Sequence, residues 1–231
     1  MTIKQKKIPN WLTNQFLGKV YQSKYGVLLS NWINQGMSYM LWEELVLKLF
    51  FEIVVLGLLL FVISGFGLNF LICFPVAFFL AHTVNWLLNG HFFNLIRYLG
   101  AGKKDYKWFI AYPDKMRKRL SGKKSISSVA LYGSFSRGAF TATSDLDVRI
   151  IARLGLVNTF VASWFACYER FLAFFARYPI DIYTVTQTRG LEKLRNDEPP
   201  VILIDNDDFI RRSYKKFIYF DSIVKLCHPK K

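Results

Sequence analysis

The sequence predicts a small α/β domain with a mixed sheet, preceded by a two-helix transmembrane hairpin. Three features carry that expectation: a long stretch without charge, a dense basic segment after it, and then short apolar strands alternating with one long helix. The 231 residues are 52% hydrophobic, yet hold 31 Lys+Arg against 16 Asp+Glu, a net charge of +15. Mean hydropathy is +0.21. Such hydrophobicity excludes a disordered or fibrous chain. An apolar core and a charged exterior compete for the same residues, so the two are segregated along the chain.

From residue 53 to residue 96 there is no Lys, Arg, Asp or Glu. At about 1.5 Å per residue this run would be roughly twice the length a bilayer core requires. It therefore crosses twice. The break falls at Ser64, Gly65, Phe66, Gly67, Leu68 and Asn69, where two glycines and an asparagine supply turn conformations. Helices are predicted over roughly 45–64 and 69–89, with Pro75 tolerated inside the second. A cleaved signal peptide does not fit, because the apolar run begins late. Lys4, Lys6, Lys7, Lys19 and Lys24 precede the hairpin, Arg97, Lys103, Lys104 and Lys107 follow it, and the turn has no charge. By the positive-inside rule this is an integral membrane protein with both termini and the following domain cytoplasmic.

Before the hairpin, Leu12, Phe16 and Val20 recur at helical spacing beside Trp11 and Tyr21, the pattern of an interfacial helix on the bilayer or of a short helix packed on the soluble domain. After it, residues 97–124 hold ten Lys+Arg against Asp105 and Asp114, which draws the segment to anionic head groups of membrane lipids. Nucleic acid is the competing partner for the same charge. Lipid is favoured, because Tyr106, Trp108, Phe109 and Tyr112 are equally natural at a membrane interface. Within the hairpin, His82, Asn85 and Asn89 share one face, and Lys48 and Glu52 lie at matching depth. Either they pair the helices or they form a polar pocket for a lipid-linked acceptor.

The chemistry lies beyond residue 124. Residues 127–132 read as a strand running into a Gly133-Ser134 turn, and 144–151 as a second strand carrying Asp145 and Asp147 two residues apart, on one face. A helix is predicted over 157–177, a third strand with Asp181 over 179–185, a polar helix near 187–197 and a last strand over 201–204. Two carboxylates on one strand and a third on its neighbour suit hard divalent cations and substrate phosphates. The Gly133-Ser134 turn lets backbone N–H groups and a hydroxyl approach a phosphate. Asp205 also ends an apolar strand, but with Asn206, Asp207 and Asp208 it reads more simply as an exposed turn and helix cap. Cys73, Cys167 and Cys227 have no metal or disulfide-framework spacing, and three histidines offer no Ser/His/Asp triad.

The string GSFSRGAFTATSDLDV at 133–148 resembles the DNA polymerase β-like nucleotidyltransferases, in particular the minimal and kanamycin-nucleotidyltransferase-like type, over about 126–186. That resemblance implies an α/β (α+β) nucleotidyltransferase domain with a small mixed sheet. It makes Asp145, Asp147 and Asp181 the catalytic and metal-binding carboxylates, with Asp181 helping to deprotonate the acceptor. Gly133, Ser134, Arg137 and Gly138 become nucleotide-binding residues. The implied cofactor is Mg²⁺, two ions, with Mn²⁺ as substitute. The implied partners are an NTP and an acceptor hydroxyl or phosphate.

The chain thus divides into an N-terminal interfacial segment (1–44), the transmembrane hairpin (45–89), a basic juxtamembrane linker (90–124) and the nucleotidyltransferase domain (125–231). The expected activity is transfer of an NMP from Mg-NTP with pyrophosphate release, directed by the anchor toward a lipid or surface-glycan precursor. The alternatives are a non-catalytic membrane-tethered nucleotide sensor and a protein-modifying, AMP-adding nucleotidyltransferase.

Overall fold

The computed structural model describes residues 23–89, 92–93, 106–137, 144–189 and 198–227. The expected interfacial helix at 9–21, the basic residues 97, 103 and 104, Gly138 and most of the expected helix near 187–197 lie outside the described residues. Where that last region is described, at 187–189, the backbone is a bend rather than a helix.

Helix α1 (Lys24–Asn34) starts at Ser23, whose hydroxyl accepts the Gly26 N–H at 3.1 Å. After a 3-10 turn at Met37–Tyr39 come α2 (Trp42–Ser64) and α3 (Phe70–Asn89), the expected hairpin. Both are long and apolar enough to cross a membrane. Their apolar side chains point outward: Phe61 is 81% and Leu71 79% exposed, unlike residues of a soluble core.

The polar residues expected on facing sides of the hairpin meet each other. His82 Nδ1 lies 2.8 Å from Glu52, Asn85 donates to the same carboxylate at 2.7 Å, and the Gln35 amide lies 3.0 Å from His82 Nε2. Lys48 Nζ donates to the Gln35 and Asn89 carbonyls. These bonds tie α2, α3 and the segment after α1 together, the interhelical role among the two expected.

The domain that follows has a five-stranded mixed sheet in the order β3-β2-β1-β4-β5. Its strands are β1 (Ile126–Tyr132), β2 (Leu146–Ala152), β3 (Ile180–Thr186), β4 (Val201–Asp205) and β5 (Ile218–Tyr219). Between them lie α4 (Tyr106–Leu120) before β1, α5 (Leu156–Phe175) between β2 and β3, and α6 (Phe209–Ser213) between β4 and β5. Helix α7 (Phe220–Cys227) follows β5. β1 pairs antiparallel with β2 and β4, whereas β2 and β3 run parallel through the α5 crossover.

The sheet's first face is the main core: Val129, Leu131, Val148, Ile150 and Ile182 pack against Phe109, Met116, Leu120, Ala162 and Ala166. On the second face a smaller cluster of described residues, Ala130, Tyr132, Ile151, Val185, Ile202 and Ile210, packs against Phe209, Tyr214 and Phe217, which leaves room for polar groups at one end.

Beyond β4, expected to be the last strand, the chain adds α6, β5 and α7, and two further features depart from the expected layout. Residues 106–120 of the anticipated basic linker form α4, because Phe109, Tyr112, Met116 and Leu120 recur on one face and are buried in the core while Lys115 and Lys118 are exposed. The packing therefore runs across the boundary placed at residue 125. At the sheet edge, the first turn of α2 also enters the domain: Glu43 and Glu44 are both fully buried. Glu44 accepts the Thr184 N–H of edge strand β3 at 2.8 Å and pairs with Arg170 of α5, which donates to the Ile182 carbonyl of the same strand at 2.8 Å. Thus Glu44 and Arg170 cap an edge that would otherwise present open backbone groups. Burial lowers the Arg170 pKa to about 10, so at neutral pH the guanidinium is still charged.

Candidate active site

Registration of the strands builds the site. Tyr132, the last residue of β1, lies opposite Asp147 of β2, and Asp147 lies opposite Asp181 of β3. Because alternate residues share a face, Asp147, Arg149, Asp181 and Tyr183 all stand on the second, thinly covered face. Asp145 comes just before β2 begins, and its charge acts on Asp147.

The chain leaves β1 through Gly133, whose φ of 68° is costly for a residue with a Cβ. Arg137 N–H donates back to the Gly133 carbonyl at 3.3 Å, closing one turn over 133–137. Phe135 fixes that turn to the core. It is fully buried and stacks on Phe109 at 5.8 Å and Phe220 at 5.9 Å between ring centres. Ser134 Oγ is buried with no hydrogen-bond partner among the described residues, which leaves it an open donor and acceptor.

The carboxylates are crowded. Burial, then the charges of Asp145 and Asp181, push the Asp147 pKa up to about 8, against a smaller opposing effect from Arg149. Arg149 Nη2 lies 3.6 Å from Asp181 Oδ2, Arg149 also donates to the Asp181 carbonyl at 3.0 Å, and Tyr183 bonds the Asp181 side chain. Among the described residues no three ligand groups are drawn together closely enough to hold an ion as they stand. Yet the donors are hard carboxylate oxygens whose mutual repulsion a divalent cation would relieve, so the set fits Mg²⁺ or Mn²⁺.

The residue-by-residue outcome is specific. Asp145, Asp147, Asp181, Gly133 and Ser134 are brought together. Arg137 braces the loop: its guanidinium pairs with Glu198, while Glu198 Oε2 also accepts the Gly133 N–H at 3.1 Å. Asp205 is elsewhere, paired with Ser128 four residues before Tyr132, so it stands about 13 Å along the strand from the site. Its buried carboxylate accepts from Ser128 Oγ at 2.6 Å and from the Ile210 N–H at 3.2 Å, holding the start of α6. Sequence reading missed Glu198, Arg149 and Tyr183. For the latter two the period-2 spacing from Asp147 and Asp181 was the available signal.

A glycine turn, an unpartnered serine hydroxyl and a crowded carboxylate set at one sheet end point to phosphoryl chemistry. Residues 113–224 match the family model of the nucleotidyltransferase domain. That span is just under half of the chain and contains the loop, all three carboxylates and Glu198. No curated protein matches the sequence. The nucleotidyltransferase domain match supports an NTP substrate and nucleotidyl transfer, on a mixed α/β fold that agrees with the five-stranded sheet.

Proposed function

We propose that this protein is a membrane-anchored, divalent-metal-dependent nucleotidyltransferase that moves an NMP from an NTP to a hydroxyl or phosphate acceptor and releases pyrophosphate. The observation that carries the reading is the contact of the Gly133-Ser134 turn with the Asp147 carboxylate, beside Asp145 and Asp181. Asp145, Asp147 and Asp181 would hold the metal. A bound divalent pair supplies charge neutralisation at the triphosphate and lowers the pKa of an attacking hydroxyl.

The chain's own groups do the rest. Ser134 Oγ and the turn's backbone orient the triphosphate, and Phe135 keeps the turn in place. Asp181, steadied by Arg149 and Tyr183, takes the proton of the acceptor hydroxyl as the oxygen attacks the α-phosphorus and the bond to the β-phosphate oxygen breaks.

The hairpin anchors the enzyme, with both termini and the catalytic domain on the cytoplasmic side, in keeping with its outward apolar side chains and the basic residues that flank it. Glu44 of the first span grips the strand that carries Asp181, which favours an acceptor presented at the membrane, a lipid or surface-glycan precursor. Incubating the full chain in detergent with each labelled NTP, Mg²⁺ and a membrane extract tests the reading. A labelled product and pyrophosphate are expected, and both should vanish in Asp147→Asn. No pyrophosphate release with any NTP would overturn it.

A further inference from the structure

Helix α5 carries a second apolar surface that the catalytic reading does not use. Val157, Val161, Trp164, Tyr168, Phe171 and Phe175 recur every three or four residues and are all exposed, Trp164 at 60% and Phe175 at 66%. They form one stripe on the side opposite Ala162, Ala166 and Ala173, which face the sheet. The only charged residues of α5, Glu169 and Arg170, are buried and paired, with Arg119 and Glu44 respectively. The stripe is therefore uncharged over the helix's full length of about 30 Å.

Its surroundings identify what covers it. Trp42, at the start of the first span, meets Phe160 near the beginning of α5 at 5.3 Å between ring centres; Phe93, just past the second span, meets Phe174 near its end at 5.5 Å. So α5 runs across the adjoining ends of both spans, the first of which also exposes Trp42, Val46 and Phe50. A coiled-coil seam between two copies would be flanked by charges and built from Leu, Ile or Val. This one is rich in Trp, Tyr and Phe, the residues of the membrane interface.

We infer that α5 is an interfacial helix: its Val157-to-Phe175 stripe sinks into the cytoplasmic headgroup and acyl boundary, and seats the catalytic domain flat on the bilayer. The inference rests on the membrane-anchored reading above. Seating fixes the direction from which an acceptor reaches Asp181, since β3 follows α5 directly and Arg170 joins the two.

Tryptophan quenching tests it in the full chain, reconstituted in phosphatidylcholine and phosphatidylglycerol vesicles brominated near the headgroup end of the acyl chains. Trp164→Phe is conservative at an exposed position, and the emission difference between it and wild type isolates Trp164. Leu58→Trp, at an exposed mid-span position, reports the hairpin separately, with lipids brominated deeper in the chain. Quenching of the Trp164 difference signal by at least about twofold, together with quenching of Leu58→Trp, is the expected result. Quenching at residue 58 without quenching at Trp164 overturns the α5 inference and leaves the anchor standing. No quenching at residue 58 overturns the anchor itself. An unquenched Trp164 in a particle of twice the chain mass assigns the stripe to a second copy instead.

Discussion

Gly133 and Asp147 are fitted to each other: a Cβ on Gly133 would lie 2.0 Å from Asp147 Oδ2, on a backbone whose φ is already 68°. Gly133→Ala should therefore push the carboxylate aside and leave the core intact, because the obstructing atom is the free end of a side chain. A displacement near 1 Å at reacting groups costs on the order of 10²-fold in turnover. Pyrophosphate release should fall by about that factor while the circular-dichroism spectrum stays that of wild type.

The crowding of Asp147 sets a pH dependence. Its folded pKa, pushed up to about 8, lies above the ordinary carboxylate value near 4. Between those limits the folded, metal-free protein holds a proton that the unfolded chain has lost, so stability falls as pH rises from about 4 to about 8. Thermal unfolding in EDTA should show that decline for wild type and a flatter profile for Asp147→Asn. Mg²⁺ should restore wild type most strongly above pH 8, where no proton has to be displaced.

Glu198 holds the Gly133 N–H and the Arg137 guanidinium at the place where the triphosphate is proposed to bind. An NTP must displace or repel that carboxylate. Glu198→Gln keeps a carbonyl to accept the Gly133 N–H but removes the charge, so NTP affinity should rise severalfold, on the order of 1 kcal/mol. Calorimetric titration with a non-hydrolysable NTP measures it, and unchanged or weaker binding would show that the carboxylate does not compete.

How much of this was legible depends on where each signal lay. The hairpin ends and the strands over 126–132, 146–152, 180–186 and 201–205 were readable to within three residues, because apolar runs and the Gly65, Gly67 and Gly133 breaks are local. So were the three carboxylates, whose spacing is fixed by the strand period. The buried face of α4 was periodic but masked by five basic residues on the same helix and four more on its flanks. Glu44 and Glu198 reach partners 140 and 65 residues away. Nothing local in the sequence encodes such a contact.

Glu44 makes the hairpin a structural part of the domain. Glu44→Ala leaves Arg170 buried with its charge uncompensated and the Thr184 N–H without its acceptor, a loss of about 3–5 kcal/mol. Adding Arg170→Met should recover much of it, since no lone charge then remains. For the same reason a fragment beginning at residue 97 should unfold or aggregate. Thermal unfolding of the variants and size-exclusion of the fragment check these outcomes.

Asp181 and Asp205 both end or begin apolar strands, and their surroundings assign them different work. Asp181 shares the open face with Asp147 and is touched by Arg149 and Tyr183, so Asp181→Asn should abolish transfer while leaving NTP affinity within about tenfold, because the turn and Asp147 still hold the triphosphate. Asp205 instead accepts from Ser128 Oγ and the Ile210 N–H, so Asp205→Asn should cost about 1–2 kcal/mol of stability and spare transfer in whatever protein remains folded. Measuring pyrophosphate release, NTP affinity and melting temperature for both variants separates the roles. If the pattern is reversed, with Asp205→Asn inactive and Asp181→Asn active, the third carboxylate of the site has been misassigned.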